Sequence, residues 1–271
     1  MMETDGGSGG GSGANAVERL TNLHGMVLVV GNARSGSTLL GAVLDGHPNV
    51  VVANETTASA TFWRGFDRER ILAEILDNSE ANAAIDRPSE GYAYQVGLPP
   101  SQKTDLRVVG DKIWNPATLL LHGDHGLIPS LEERLGVPVL IIHAMRNPFD
   151  TISTMHRRSG ASVANRTRWY FMHCEAAVAI GERVASDRFL ACHHEDLLAA
   201  PGPEIDRLCR FLGVPADAGH IDAVADKLFS APRSTRHSVT WQPAEIAAVH
   251  AGIARFPCLA RYADCDVAST A

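Results

Sequence analysis

The sequence predicts an α/β fold, a mostly parallel sheet with helices on both faces and a P-loop-like turn suited to a phosphate. Three observations predict it. Short apolar runs rich in β-branched residues, Met26 to Val30, Val50 to Ala53 and Pro138 to Met145, read as strands buried on both faces. Between them, apolar residues recur at helical spacing, as in Leu39, Leu40, Val43 and Leu44. The first run ends in Gly31-Asn32-Ala33-Arg34-Ser35-Gly36-Ser37-Thr38, a small-residue turn opening a helix. Such a turn offers free backbone N–H groups and the positive end of a helix dipole, and both favour a phosphate. In a sheet of this kind ligands sit beyond the carboxyl ends of the strands.

The elements follow in order. Residues 1–15, MMETDGGSGGGSGAN, are acidic and rich in Gly and Ser. They lack the apolar centre of a signal peptide and read as a flexible tail or linker, with 16–271 as one domain. Val17 to Leu23 reads as a short leading helix. Strand, helix and strand then run from Met26 to Glu55. Thr56 to Gly65 carries Phe62 and Trp63 with no clear period, and Arg68 to Asp77 reads as helix. Asn78 to Asp105 is polar, punctuated by Pro88, Pro99 and Pro100, and reads as a long irregular insertion of the kind that often forms a lid. Leu106 to Ile113 contains a short strand with Asp111-Lys112 near its end. Ala117 to His122 and Pro129 to Leu135 read as helices. Pro138 to Met145 is the clearest later strand, and a helix follows from Pro148, where Pro in the first turn is favourable. Val163 to Val184 reads as a long helix and Arg188 to Cys192 as a further strand. Helices close the chain at Pro203 to Leu212, His220 to Phe229 and Ala244 to Phe256.

Composition narrows the function. The chain has 271 residues, 45% of them hydrophobic, enough for a substantial core. A net charge of −7 argues against a nucleic-acid surface, while small anions need only local Arg and Lys. No apolar run reaches the roughly 18 residues of a membrane span. The five cysteines, Cys174, Cys192, Cys209, Cys258 and Cys265, form no CxxC pair, which fits reduced thiols in a cytoplasm. The residues set no oligomeric state.

The loop departs from the nucleotide-hydrolase pattern G-x-x-x-x-G-K-[ST] at one place: Ser37 stands where the Lys that reaches the β- and γ-phosphates belongs. That argues against ATP or GTP. The N–H groups of Gly36, Ser37 and Thr38, the two hydroxyls and Arg34 can still hold one phosphate. A second anion site follows the Pro138 to Met145 strand, where Arg146-Asn147-Pro148-Phe149-Asp150 leads into a helix carrying Ser153 and Thr154. A planar guanidinium with one hydroxyl clamps a phosphate well. Arg157, Arg158, Arg166 and Arg168 add charge nearby or form a solvated helix face.

Two phosphate sites without the loop Lys describe a nucleotide with a 5′ group and a 3′-phosphate. The chain here resembles the sulfotransferases that use 3′-phosphoadenosine-5′-phosphosulfate. Arg34-Ser35-Gly36-Ser37-Thr38 is similar to their first motif, [K/R]-x-G-[S/T]-T. Arg146 to Asp150 is similar to R-N-P-x-D, which in the family has Ser eight residues after the Arg. Here that position is Thr154, with Ser153 before it, so either hydroxyl can be the ligand. His194-Glu195-Asp196-Leu197 resembles Y-E-D-L, with His194 at a Tyr that contacts adenine, and Phe211-Leu212-Gly213-Val214-Pro215 resembles F-L-G-[VIL]-P. Arg233-Ser234-Thr235-Arg236-His237 resembles a loop that closes over the nucleotide, with Ser234 and Arg236 as its contacts. The resemblance spans Val27 to Trp241 and is nearest to the bacterial branch and to tyrosylprotein sulfotransferases, which share R-S-G-[ST]-T-L and L-D-x-H-P (Leu44 to Pro48). The Golgi members carry a membrane anchor and lumenal disulfides that this sequence does not display.

The resemblance implies the sulfotransferase fold and an enzyme that moves a sulfuryl group from that donor to a hydroxyl or amine of a small molecule, sugar or lipid, releasing adenosine 3′,5′-bisphosphate, with no metal. Glu55, at the end of the second strand, would be the general base. Arg34 would neutralise developing charge. Lys112 resembles the Lys of a G-E-K-x-P motif and would bind acceptor or sulfonate. Phe62, Trp63, Tyr92 and Tyr94 are acceptor walls or plain core. His122-Gly123-Asp124-His125 and His193-His194-Glu195-Asp196 carry metal-ligand residue types, without an HExxH arrangement or paired Cys. The competing readings are a kinase-like phosphotransferase and a degenerate nucleotide binder; the absent loop Lys opposes the first and the presence of Glu55 opposes the second.

Overall fold

In the computed structural model the described residues are 20–56, 65–84, 88–89, 92–93, 99–228, 233–265 and 267. Five strands form one sheet: β1 (Gly25–Gly31), β2 (Val50–Asn54), β5 (Val108–Lys112), β6 (Val139–Met145) and β7 (Phe189–His193). They lie in the order β2-β5-β1-β6-β7, and every neighbouring pair is parallel. A separate two-residue ladder joins β3 (Pro88–Ser89) to β4 (Tyr92–Ala93), antiparallel.

The central strand shows why these runs are continuously apolar. On one face of the sheet Met26, Leu28 and Val30 pack with Ile71, Leu72 and Ile75 of α2 (Arg68–Ala84), and with α3 (Asn115–Gly123), α4 (Leu127–Leu135) and α6 (Val163–Arg183). On the other, Val27 and Val29 meet Leu40 and Val43 of α1 (Ser37–Asp45). The same side holds α7 (His194–Ala199), α8 (Pro201–Leu212) and Val224 of α9 (Ala218–Ala225). A strand covered twice has no polar face to display. A third cluster gathers α5 (Pro148–Ser159), α6, α10 (Pro243–Ile253) and the 3₁₀ turn Pro257–Tyr262 around Phe149, Tyr170 and Phe256.

Two expected elements differ. The described part of the leading helix, residues 20–23, is a turn closed by Leu23 N–H to the Leu20 carbonyl at 3.1 Å. The irregular insertion starts later than its polarity implied, because α2 continues to Ala84. Its polar residues serve as anchors. Asn78 Oδ1 accepts from the Asn54 N–H at 2.8 Å, and Ser79 Oγ donates to Asp45 at 3.0 Å. Lys103, fully buried, donates to the Val50 carbonyl at 2.7 Å and to the Asp45 carbonyl. Asp45 also takes the Val52 N–H, and His47 bonds the Pro215 carbonyl at 2.8 Å. The L-D-x-H-P run thus fastens the end of α1 to β2 and to the segment after α8. Residues 1–15, Phe62, Trp63, Tyr94 and the Tyr92 side chain lie outside what is described.

Candidate active site

The site is assembled at the carboxyl edge of the sheet, where the loop after β1 meets the ends of β6 and β7. Gly31 has φ +135, and a Cβ there would lie 2.6 Å from the Ala144 carbonyl of β6, so only glycine lets the two strands run this close before the turn. Ser35 closes the turn through Oγ to the Asn32 carbonyl at 2.8 Å. Arg34 takes φ +70 and Gly36 φ +85, and α1 begins at Ser37. Gly36 caps the helix without a side chain, and no acid occupies its first turn. The first-turn N–H groups, those of Ser37 and Thr38 among them, therefore keep room for an external anion.

His194, first residue of α7, packs its ring on Gly36; a Cβ at that glycine would come within 2.8 Å of the ring Cγ. Burial, and then the charge of Arg146, hold the imidazole down to about 4, so it stands neutral beside the loop. Its Nδ1 is buried without a partner among the described residues.

Arg146 follows β6 directly and is 9% exposed. Its Nη1 donates to the Arg34 carbonyl at 3.4 Å and its Nη2 to the Arg233 carbonyl at 2.5 Å, so one guanidinium joins the loop to the segment around residue 235. Asn147 caps α5, accepting from Phe149 N–H at 2.9 Å, and Pro148 fills the first helical position. Thr154 Oγ1 donates to the Asp150 carbonyl at 2.8 Å and lies 3.0 Å from Thr235 Oγ1. Ser153 is fully buried, with no hydrogen-bond partner for Oγ among the described residues. The two adjacent hydroxyls thus face different surroundings, and only Thr154 borders the Arg146 and 233–238 side.

That segment is latched by Arg236, expected as a nucleotide contact, together with Asp150 and Thr235, to which the motifs assigned no contact. Asp150, 3% exposed, accepts from the Arg236 backbone N–H at 2.8 Å and pairs with its guanidinium at 2.7 Å. Thr235 Oγ1 donates to the Asp150 carbonyl at 2.8 Å. Burial still raises the Asp150 carboxyl against the pull of Arg236. Arg236 therefore serves first as the anchor of the segment, while Ser234 stays exposed, 3.5 Å from Arg236 Nη2. The signal for this latch was the Asp of R-N-P-x-D itself, an acid in the first turn after a strand-end Arg.

Lys112 ends β5, and Glu55 directly follows Asn54, the last residue of the neighbouring strand β2. Lys112 is nearly buried against Gly41 of α1 and its Nζ pairs with Glu55 Oε1. Glu55 is the open member, with 44% of its side chain exposed, and its N–H donates to the Lys112 carbonyl at 2.9 Å. Its φ of +53 is unusual for a residue with a Cβ.

Three members of the second histidine-acid run are engaged outside the loop, and in the first run Asp124 accepts from the Gly126 N–H at 3.0 Å. His193 Nδ1 lies 3.0 Å from the Tyr262 hydroxyl, Glu195 accepts from Asn147 N–H and Tyr262 O–H, and Asp196 pairs with Arg261. Of the outer arginines, Arg157 donates to Ser238 Oγ at 3.2 Å and Arg166 lies over the Trp169 ring; Arg158 and Arg168 are exposed.

The geometry defines a class before any name does: a parallel α/β protein with a glycine- and serine-rich loop lacking the Lys of hydrolases, a strand-end Arg beside it, and a carboxylate–ammonium pair on the same edge. Residues 139–218 match the model of the sulfotransferase family, a stretch from β6 through R-N-P-x-D, H-E-D-L and F-L-G-V-P to the start of α9. Among solved structures, the sulfotransferase domain of the Synechococcus PCC 7002 olefin synthase is similar at 20% identity and a TM-score of 0.51, over 83% of this chain and 86% of that one. Sulfotransferase STF9 from Mycobacterium avium is similar at 12% identity and a TM-score of 0.51, over 89% and 78%. The sulfotransferase domain of the curacin biosynthetic pathway is similar at 15% identity and a TM-score of 0.50, over 86% and 99%. No curated protein matches the chain. The chain has the sulfotransferase fold and carries a sulfotransferase-family segment on it. No helix among the described residues is long and apolar enough to cross a membrane.

Proposed function

We propose that the protein transfers a sulfuryl group from 3′-phosphoadenosine-5′-phosphosulfate to a hydroxyl or amine of a small molecule, sugar or lipid, as a cytoplasmic enzyme. The observation that carries this reading is the Arg146 bridge. One nearly buried guanidinium joins the anion loop to the 233–238 segment, with the Thr154 hydroxyl on the same side. Arg146 and Thr154 take the 3′-phosphate, and the loop from Arg34 to Thr38 takes the 5′ group. The uncapped first turn of α1 and the glycine cradle against His194 suit such an anion. The neutral His194 ring offers a surface for the nucleotide without adding charge.

The donor supplies an activated sulfuryl group; the protein's share is positioning and charge. Glu55, half-exposed on its pair with Lys112, accepts the acceptor's proton as the oxygen or nitrogen attacks. Arg34 balances charge that builds on the sulfonate and on the bridging oxygen, and Lys112, beneath Glu55, holds that carboxylate in place. The test is transfer itself. Purified protein given the donor and 2-naphthol, a sugar alcohol or a long-chain alcohol is expected to release adenosine 3′,5′-bisphosphate and one sulfated product. Phosphoryl transfer from ATP to the same acceptors, with none from the sulfated donor, would overturn the reading in favour of a phosphotransferase.

A further inference from the structure

Behind the Glu55–Lys112 pair lies a second carboxylate that transfer does not use. Asp111, one residue before Lys112 on β5, is 1% exposed. Both of its oxygens are taken by one residue: Thr56 Oγ1 donates to Oδ2, and the Thr56 N–H approaches Oδ1 at 3.5 Å. Thr56 directly follows Glu55, whose φ is +53. A left-handed conformation at a Glu costs energy and persists only when the neighbours fix it. Here two neighbours do so, the Lys112 carbonyl on the Glu55 N–H and Asp111 on Thr56. Strand alternation puts Asp111 and Lys112 on opposite faces of β5. The kink at Glu55 is therefore grasped from one face while its side chain meets the ammonium on the other.

We infer that Asp111 is a positioning residue: by gripping Thr56 it holds Glu55 in the left-handed turn that aims its carboxylate at Lys112 and at the mouth of the site. The inference builds on Glu55 as the proposed base, and it accounts for a buried acid that no ion pair in the site requires. Burial pushes the Asp111 carboxyl up to about 6 despite both bonds from Thr56, so the grip is kept at the cost of desolvating an acid.

The test is a stability cycle that needs no acceptor. Thr56 and Lys112 are to be changed singly and together, as Thr56→Val and Lys112→Met, and unfolding followed in urea for each. If Thr56 acts on Lys112 through Glu55, the two changes are coupled by about threefold or more in the unfolding constant. The coupling should disappear when the cycle is repeated on Glu55→Ala, and should stay small when Thr56→Ser, which keeps the gripping hydroxyl, replaces Thr56→Val. Additive changes, or a coupling that survives Glu55→Ala, would overturn the inference, since a merely structural bond does not depend on Glu55. Turnover of Glu55→Gln is read separately. An active Glu55→Gln beside an intact coupling removes the base and leaves the grip, whereas an inactive one beside additive changes removes only the grip.

Discussion

Glu55→Gln is expected to bind adenosine 3′,5′-bisphosphate as the parent protein does and to lose about 10²–10⁴-fold in turnover, the usual contribution of a positioned general base. The substitution keeps the size of the side chain and an oxygen that can accept from Lys112, so the edge of β2 and β5 should keep its shape. What it removes is proton affinity at the half-exposed end of the pair. Calorimetry for the nucleotide and a stopped assay for the sulfated product separate the two quantities. Parallel loss of affinity and turnover would show that Glu55 organises the nucleotide site instead and would remove it as the base.

Arg146→Ala should weaken adenosine 3′,5′-bisphosphate by about 10²-fold and AMP far less, because a charge-assisted hydrogen bond of about 1.5–3 kcal/mol is lost only where a 3′-phosphate receives it. The guanidinium also ties the Arg34 and Arg233 carbonyls together, so some general loosening is expected for both ligands. The ratio between the ligands carries the information. Thr154→Ala should shift that ratio in the same direction, and Ser153→Ala should leave it unchanged, since Ser153 is fully buried away from the Thr235 side. Equal weakening of both nucleotides by Arg146→Ala would make that arginine a structural strut and move the 3′-phosphate elsewhere.

The parts of this site legible in the sequence were those whose physics is local. A β-branched run ending in glycines announces a buried strand and a tight turn, and β1, its loop and α1 lie where that pattern places them. The Arg after β6 was legible for the same reason, since a strand end, Asn-Pro and a helix start fix its place. Local patterns gave no access to features that depend on partners far along the chain. Asn78 and Ser79 look like loop residues until Asn54 and Asp45 receive them, which is why α2 outran its expected end. Ser153 and Thr154 are chemically alike in sequence, yet about 100° of helical rotation puts one in the core and the other beside Thr235. Asp111 takes its meaning from Thr56, on another strand's end, and Asp150 from Arg236. The L-D-x-H-P run marked the resemblance without a stated role; His47 and Asp45 bind backbone and hold α1 to its neighbours.

The central claim is a nucleotide site with two separate phosphate positions, and titration calorimetry with adenosine 3′,5′-bisphosphate, AMP and ATP tests it most directly. Tight binding of the bisphosphate, with AMP and ATP much weaker, is the expected result. Preference for ATP, or equal binding of AMP and the bisphosphate, would contradict it.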